Sequence, residues 1–373
     1  MLRSRAALVL PLIVLSACGN VTVGSGSSSS PSASTSASPP TSSGYRVLFT
    51  STTTSGSQVF LYDSASSAPQ QLVSLPADNP PDVRFISSQR IAYTDSTNLQ
   101  ASKIVTVDLS TRASTTEVTA NGYIPAFAYS HDGSLLAYLV HEAAGKAVLH
   151  VRRNGQETSL ALNPIVGRGV GRDDELRLEY APDDKYLLMV DTFVGNQGQA
   201  PETGQFLVLR SADNTVAFLP PAGVSSNATM ATWARRSDRL YYRDAIGVRT
   251  WDAGSTSVGT LVTALHWYDP AVSADDRDIA YTEFDTQFVP HVKILDLQSN
   301  HVSPTASAPR SHPILVTAAT LWYLEEQPCQ SECLAGPSQS SGRVFAYTLT
   351  SKSETSLPFT DVHNLSQLAV ASR

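Results

Sequence analysis

The feature that most constrains this chain is a segment that recurs. Residues 129–139 read YSHDGSLLAYL. Three further stretches align with it on its last aromatic: YAPDDKYLLMV, WARRSDRLYYR and VSADDRDIAYT. Their anchor positions are Tyr138, Met189, Tyr242 and Tyr281, each eight residues after a small residue, Ser130, Ala181, Ala234 or Ser273. FISSQRIAYT and LVTAATLWYL carry a turn shortened by two residues and give the anchors Tyr93 and Tyr323. YRVLFT supplies a seventh anchor, Phe49, with no strand before it. Successive anchors lie 44, 45, 51, 53, 39 and 42 residues apart. A period in this range marks an array of supersecondary units.

Each anchor is followed by a loop, then by a third strand pattern such as QVFLYD, KIVTVDL or HVKILDL, then by a weaker fourth such as QQLVSL or TVAFLP. Turn signals fall about every ten residues, and amphipathic helical patterns of useful length are missing. The unit is a four-stranded antiparallel meander. Alone it leaves both sheet faces uncovered; repeated around an axis, each sheet covers its neighbours and only short edges remain. The expected fold is therefore all-β, a seven-bladed β-propeller of four-stranded antiparallel blades. The first unit starts at its second strand, and NLSQLAVA, residues 364–371, is an orphan strand near the C-terminus. The two predict one shared blade, with the C-terminal strand closing the ring onto residues 45–50.

In this reading Asp132-Gly133 is the turn between a blade's innermost and second strands. Glycine adopts positive φ cheaply, and aspartate bonds its own backbone. The repeats resemble the WD40-like PD40 β-propeller repeats of the TolB family, best in SHDGSLLAY, APDDKYLLM and SADDRDIAY. TolB-type propellers have six blades and an additional N-terminal domain, whereas seven units are counted here. The resemblance implies a fold and does not transfer a role.

The chain opens with a basic stretch, MLRSR, and an apolar run at residues 6–15, too short to cross a bilayer as a helix. LSAC follows, ending at Cys18. This resembles the lipobox of bacterial lipoproteins, which implies acylation of Cys18 and a membrane-anchored, extracytoplasmic protein on the periplasmic or cell-surface side. Residues 19–44 are rich in Ser and Pro and uncharged. They cannot bury enough surface to offset ordering, so a disordered tether is expected, with a reach of about 25–30 Å. The expected organisation is signal peptide 1–18, tether 19–44 and propeller 45–373.

The formal charge is −7, and loss of Arg3 and Arg5 with a signal peptide makes it more negative. With no Lys/Arg run, nucleic acid is a poor partner. No Gly-x-Ser-x-Gly elbow or His-Glu-x-x-His motif occurs. The eight histidines are scattered, and no cofactor or metal site is indicated. The acid pairs Asp173-Asp174, Asp183-Asp184 and Asp275-Asp276 have the look of calcium ligands, but the latter two fall in the repeat's turn, where solvated aspartates are expected. Cys329 and Cys333 are separated by three residues. In an exported protein that spacing suggests a loop disulfide, contributing on the order of 2 kcal/mol; a redox pair or half a metal site are the alternatives.

Long loops at residues 163–175, 191–204, 265–270, 283–291 and 325–342 all fall on the face opposite the Asp-Gly turns. Phe193, Trp267, Tyr268, Phe284 and Phe288 would place aromatics on or near it. Aromatics on long loops suggest protein or glycan recognition. The expected function is a non-catalytic binding or scaffold module for an envelope protein or a cell-wall or exopolysaccharide ligand. The alternative is a propeller enzyme, a lactonase, lyase or glycan-active enzyme, with its site at the axial channel.

Overall fold

In a computed structural model, described residues are 44–53, 56–66, 68–76, 81–142, 146–162, 174–193, 203–220, 229–265, 267–328, 338–359, 362–364 and 370–372. Their regular structure is entirely strand, in seven antiparallel sheets. Blades are numbered here in chain order. Blade 4, for example, runs Asp174–Tyr180, Tyr186–Phe193, Thr203–Arg210 and Val216–Phe218 from the axis outward. The chain is a seven-bladed β-propeller, as its repeat requires.

The core explains why the repeat works. Seven hydrophobic clusters are found among the described residues, and each joins two neighbouring blades. Along one strand, alternate residues point to opposite faces. In the second strand of blade 6, Asp278–Phe284, Ile279 and Tyr281 pack against blade 5 while Ala280 packs against blade 7. All seven anchors are buried, and every one faces the preceding blade: Phe49, Tyr93, Tyr138, Met189, Tyr242, Tyr281 and Tyr323. Each cluster is thus one copy of the same joint.

Blade 1 closes the ring. Its second to fourth strands are Tyr45–Thr53, Gly56–Asp63 and Gln70–Leu75. The C-terminal segment lies antiparallel to Tyr45–Thr53, as expected, but in two pieces rather than one. Val362–Asn364 pairs with Thr50 and Ser51; Val370–Ser372 pairs with Tyr45, Arg46 and Val47. From Asn364 to Val370 the C-terminal segment advances six residues while its partner moves three, from Thr50 to Val47. Phe359 stacks on Phe49 at 5.4 Å and packs with Trp322 of blade 7 at 5.6 Å, so the seam has its own aromatic core.

The repeat's turn forms as its sequence predicts. Gly133 takes φ 72°. The Ser130 hydroxyl donates to Asp132 Oδ1 at 2.7 Å, and the same oxygen accepts from the Ser134 N–H at 2.8 Å. These bonds hold the Asp132 carboxyl down at about 2, since they favour the charged form.

The acid pairs in the turns do more than meet water. Asp184 sits at φ 61° and Asp276 at φ 57°, where blade 3 has Gly133. Asp184 accepts from the backbone N–H groups of His131 and Asp132, in the turn of blade 3, at 2.8 and 3.2 Å. These aspartates clasp the preceding blade's turn. Among the described residues no group of three His, Cys, Asp or Glu side chains is arranged to hold a metal ion.

Candidate functional site

The site is assembled from one level of the innermost strands. In blade 4, Arg177 pairs with Val190, the residue after the anchor Met189. In blades 5, 6 and 7 the equivalent pairs are Thr229 with Arg243, Tyr268 with Thr282 and Ser311 with Leu324. In blade 2 Asp82 holds this place, and its carbonyl accepts from the Thr94 N–H at 3.0 Å. All five lie at one height, towards the end where inner strands begin. In a meander this is also the end that carries the loops between second and third strands.

Blades 5, 6 and 7 share a distortion here. Thr229 to Thr232, Tyr268 to Ala271 and Ser311 to Ile314 each span three residues against two on the partner strand. Each is a β-bulge, a device that bends the strand and re-aims a side chain. The residue after the first pair is left-handed and not glycine: Met230 at φ 59°, Asp269 at 48° and His312 at 49°. Such conformations cost about 1–3 kcal/mol each and concentrate at functional sites. Pro270 and Pro313 follow two of them. Proline lacks the ladder donor, and inside a sheet it is accommodated at a bulge.

The bulges bring Asp269 and His312 together from different blades. His312 Nδ1 lies 2.8 Å from Asp269 Oδ2. The His312 N–H donates to Thr282 Oγ1 of blade 6 at 3.2 Å, which fixes the left-handed backbone. Burial pushes the Asp269 carboxyl up, but His312 and the more distant Arg177 outweigh it and hold the group below the usual range. The two side chains keep 34% and 29% of their surface for His312 and Asp269. Both groups therefore keep contact with solvent.

Further charges lie along the inner strands nearby. Arg84 pairs with the buried Asp82 at 3.1 Å, and Arg235 lies 3.9 Å from Glu179. Burial pushes Asp82 up, with Arg84 opposing. Asp82 Oδ2 also accepts from the Phe127 N–H of blade 3 at 3.3 Å. Arg177 donates to the carbonyl of Ala231, beside the blade 5 bulge. Burial lowers its affinity for a proton; Glu179 and Asp269 oppose, while Arg84 and Arg235 push the same way.

The five aromatics read from the sequence are not one patch. Tyr268 and Phe284 do meet, edge to face at 4.9 Å, and the Arg243 guanidinium lies 4.8 Å over the Tyr268 ring. Phe288 is 50% exposed at the tip of a tight turn, its N–H donating to the Asp285 carbonyl at 3.0 Å. Trp267 is wholly buried, in the cluster between blades 5 and 6. It directly precedes the inner strand Tyr268–Val272, so it fills a joint instead of presenting a loop face. Phe193 ends a strand, opposite Asp174 and Thr203. Cys18, Cys329 and Cys333 lie outside the described residues.

The axial charges were not singled out from the sequence. The available signal was proline inside a strand pattern, in YDPAV and SHPIL, which marks a bulge.

No protein-family model matches the chain, and no curated protein matches it. Solved structures do. It is similar to TolB from Acinetobacter baumannii at 15% identity and TM-score 0.51, covering 88% of this chain and 67% of that one. It is similar to a puromycin-hydrolyzing peptidase from Mycobacterium tuberculosis at 12% identity and TM-score 0.56, covering 86% of this chain. The match spans 53% of the peptidase, about half its length. The β-propeller domain of the Trilobed protease from Pyrococcus furiosus matches at 11% identity and TM-score 0.53, over 86% of this chain and 96% of that one. At these identities the likeness establishes a TolB-like propeller fold and nothing finer.

Proposed function

We propose that the chain is a lipid-anchored, extracytoplasmic propeller acting as a non-catalytic binding or scaffold module for an envelope protein or a cell-wall or exopolysaccharide ligand. The observation that carries this reading is the convergence of side chains from blades 2, 4, 5, 6 and 7 on one level of the channel. Strained bulges hold three of the backbones there. Tyr268, Phe284 and Arg243 form a second contact surface near the loop end. The resemblance of residues 1–18 to a lipobox supports the anchor at Cys18. Two acyl chains suffice for stable attachment.

Affinity capture of the acylated full-length protein from detergent-solubilised membranes tests the reading. A specific partner lost in the Phe284→Ala/Phe288→Ala double variant is the expected result. Capture of nothing above an irrelevant lipoprotein overturns it. Acyl labelling that persists in Cys18→Ala would remove the anchor.

The second reading, a propeller enzyme at the axis, rests on the Asp269–His312 pair. A carboxylate that orients an imidazole is half of a base-and-nucleophile arrangement. Turnover of a lactone or glycan lost in His312→Gln would favour it.

A further inference from the structure

The basic side chains near the axis differ in how they are partnered. Arg84 has Asp82, Arg235 has Glu179 and His312 has Asp269. Arg177 has the Ala231 carbonyl, and no carboxylate among the described residues comes within ion-pairing distance of it. An arginine taken out of bulk water and left without an anion is unfavourable unless something compensates it. Glu179 and Asp269 attract Arg177 from beyond that distance, while Arg84 and Arg235 repel it. Its guanidinium carries a planar fork of donors that matches a carboxylate edge to edge.

We propose that Arg177 is the receptor for a single carboxylate group of a ligand that enters the axial channel, with Asp269 and His312 as the adjoining wall. The inference rests on the reading of the protein as a binding module and names the chemistry its ligand carries. Four neighbouring blades build the site. Arg177 comes from blade 4 and reaches the bulge of blade 5 through Ala231. The bulges of blades 6 and 7 turn Asp269 and His312 onto each other at the same height. The strained conformations of Met230, Asp269 and His312 occur at this level of three consecutive blades, where backbone strain serves the placement of a group and not the ladder.

Glu179 and Asp269 act on Arg177 from nearby and repel each negative charge a ligand brings, so one charge is favoured over two. A phosphate dianion is therefore disfavoured against a carboxylate. A uronic-acid sugar and a peptide C-terminus both present that group.

The experiment is calorimetric titration of the acylated full-length protein in detergent with three probes. These are digalacturonate, N-acetyl-dialanine with a free carboxylate, and N-acetyl-dialanine amide. Binding of one carboxylate probe, none of the amide, and at least a tenfold loss in Arg177→Met is the expected result. Arg177→Lys keeps the charge without the fork and should recover part of that loss. It also supplies a variant should Arg177→Met fail to fold. Preference for digalacturonate assigns the carboxylate to a uronate, and preference for the peptide assigns it to a chain terminus. Equal binding of amide and acid, or undiminished binding by both variants, overturns the proposal. So does displacement of the probes by inorganic phosphate at lower concentration. If partners are captured from membranes while no carboxylate probe binds, this inference fails and the binding-module reading stands. If neither occurs, both fail.

Discussion

Asp276, in the turn of blade 6, accepts a hydrogen bond from the main-chain N–H of Arg236, in the turn of blade 5, at 2.9 Å. Its other oxygen takes the Arg235 N–H at 2.5 Å. Asp184 does the same for His131 and Asp132 two joints earlier, and Asp238 accepts from the Asp183 N–H at 3.3 Å between blades 4 and 5. A line of carboxylates thus links the turns of blades 3 to 6. The side chain occupies a backbone conformation where glycine would be less strained, and the clasp accounts for that choice.

Asp276→Ala is expected to destabilise by about 1–3 kcal/mol, since bonds to a charged acceptor are lost and positive φ is kept. Asp276→Gly loses the clasp but relieves the backbone and should cost less. Urea unfolding of both variants checks the order; alanine at or below glycine in cost would contradict it.

The anchors separate packing from polarity. Tyr281 is buried, and its hydroxyl has no hydrogen-bond partner among the described residues. Burial and the charge of Glu283 push its ionisation well above the usual range. Tyr281→Phe should leave stability within about 0.5 kcal/mol or raise it, while Tyr281→Ala should cost about 3–5 kcal/mol. Tyr323 differs: its hydroxyl donates to Glu354 Oε2 at 2.7 Å. Tyr323→Phe should therefore cost about 1–2 kcal/mol. Thermal melts of the three variants decide it.

Asp132 gives a pH signature. Its carboxyl is lowered from 3.8 to about 2 by the Ser130 and Ser134 bonds. A depressed folded value contributes stability that is present above pH 3.8 and is lost as pH falls towards 2. The stability difference between wild type and Asp132→Asn should therefore be constant above about pH 5 and move in the variant's favour below about pH 4. Denaturant titrations across this range test it, and a difference independent of pH would be the contrary result.

The seam predicts a severe variant. Val362 is fully buried in the cluster joining blades 7 and 1, against Phe49 and Phe359. Val362→Asp should cost at least about 3 kcal/mol, because a charge would be buried without a partner. Limited proteolysis should cut within residues 45–75 of the variant before cutting the wild type.

The ring was legible because its cause is local. Seven anchors, alternation of period two and short turns specify a joint, and the joint repeats. Closure was legible too, since residues 45–50 lacked a first strand and the C-terminus offered one. The axial site was not, because Arg177, Asp269 and His312 share no local pattern. They meet only once the ring is formed. Trp267 was misread for a related reason: a bulged inner strand with Pro270 reads as a loop, and the tryptophan before it then reads as exposed. Asp184 and Asp276 resembled calcium ligands because carboxylates in turns serve backbone N–H groups and cations with the same oxygens.

The split pairing of the C-terminal segment with Tyr45–Thr53 also sets an order of events. Blade 1 lacks its inner strand until residues 362–372 have been made, although its other three strands are made first. Those three must wait, with one edge open, through the synthesis of six blades. A chaperone that shields strand edges would accordingly act at the beginning of this chain, and a ribosome stalled shortly before Val362 would hold an unclosed circle.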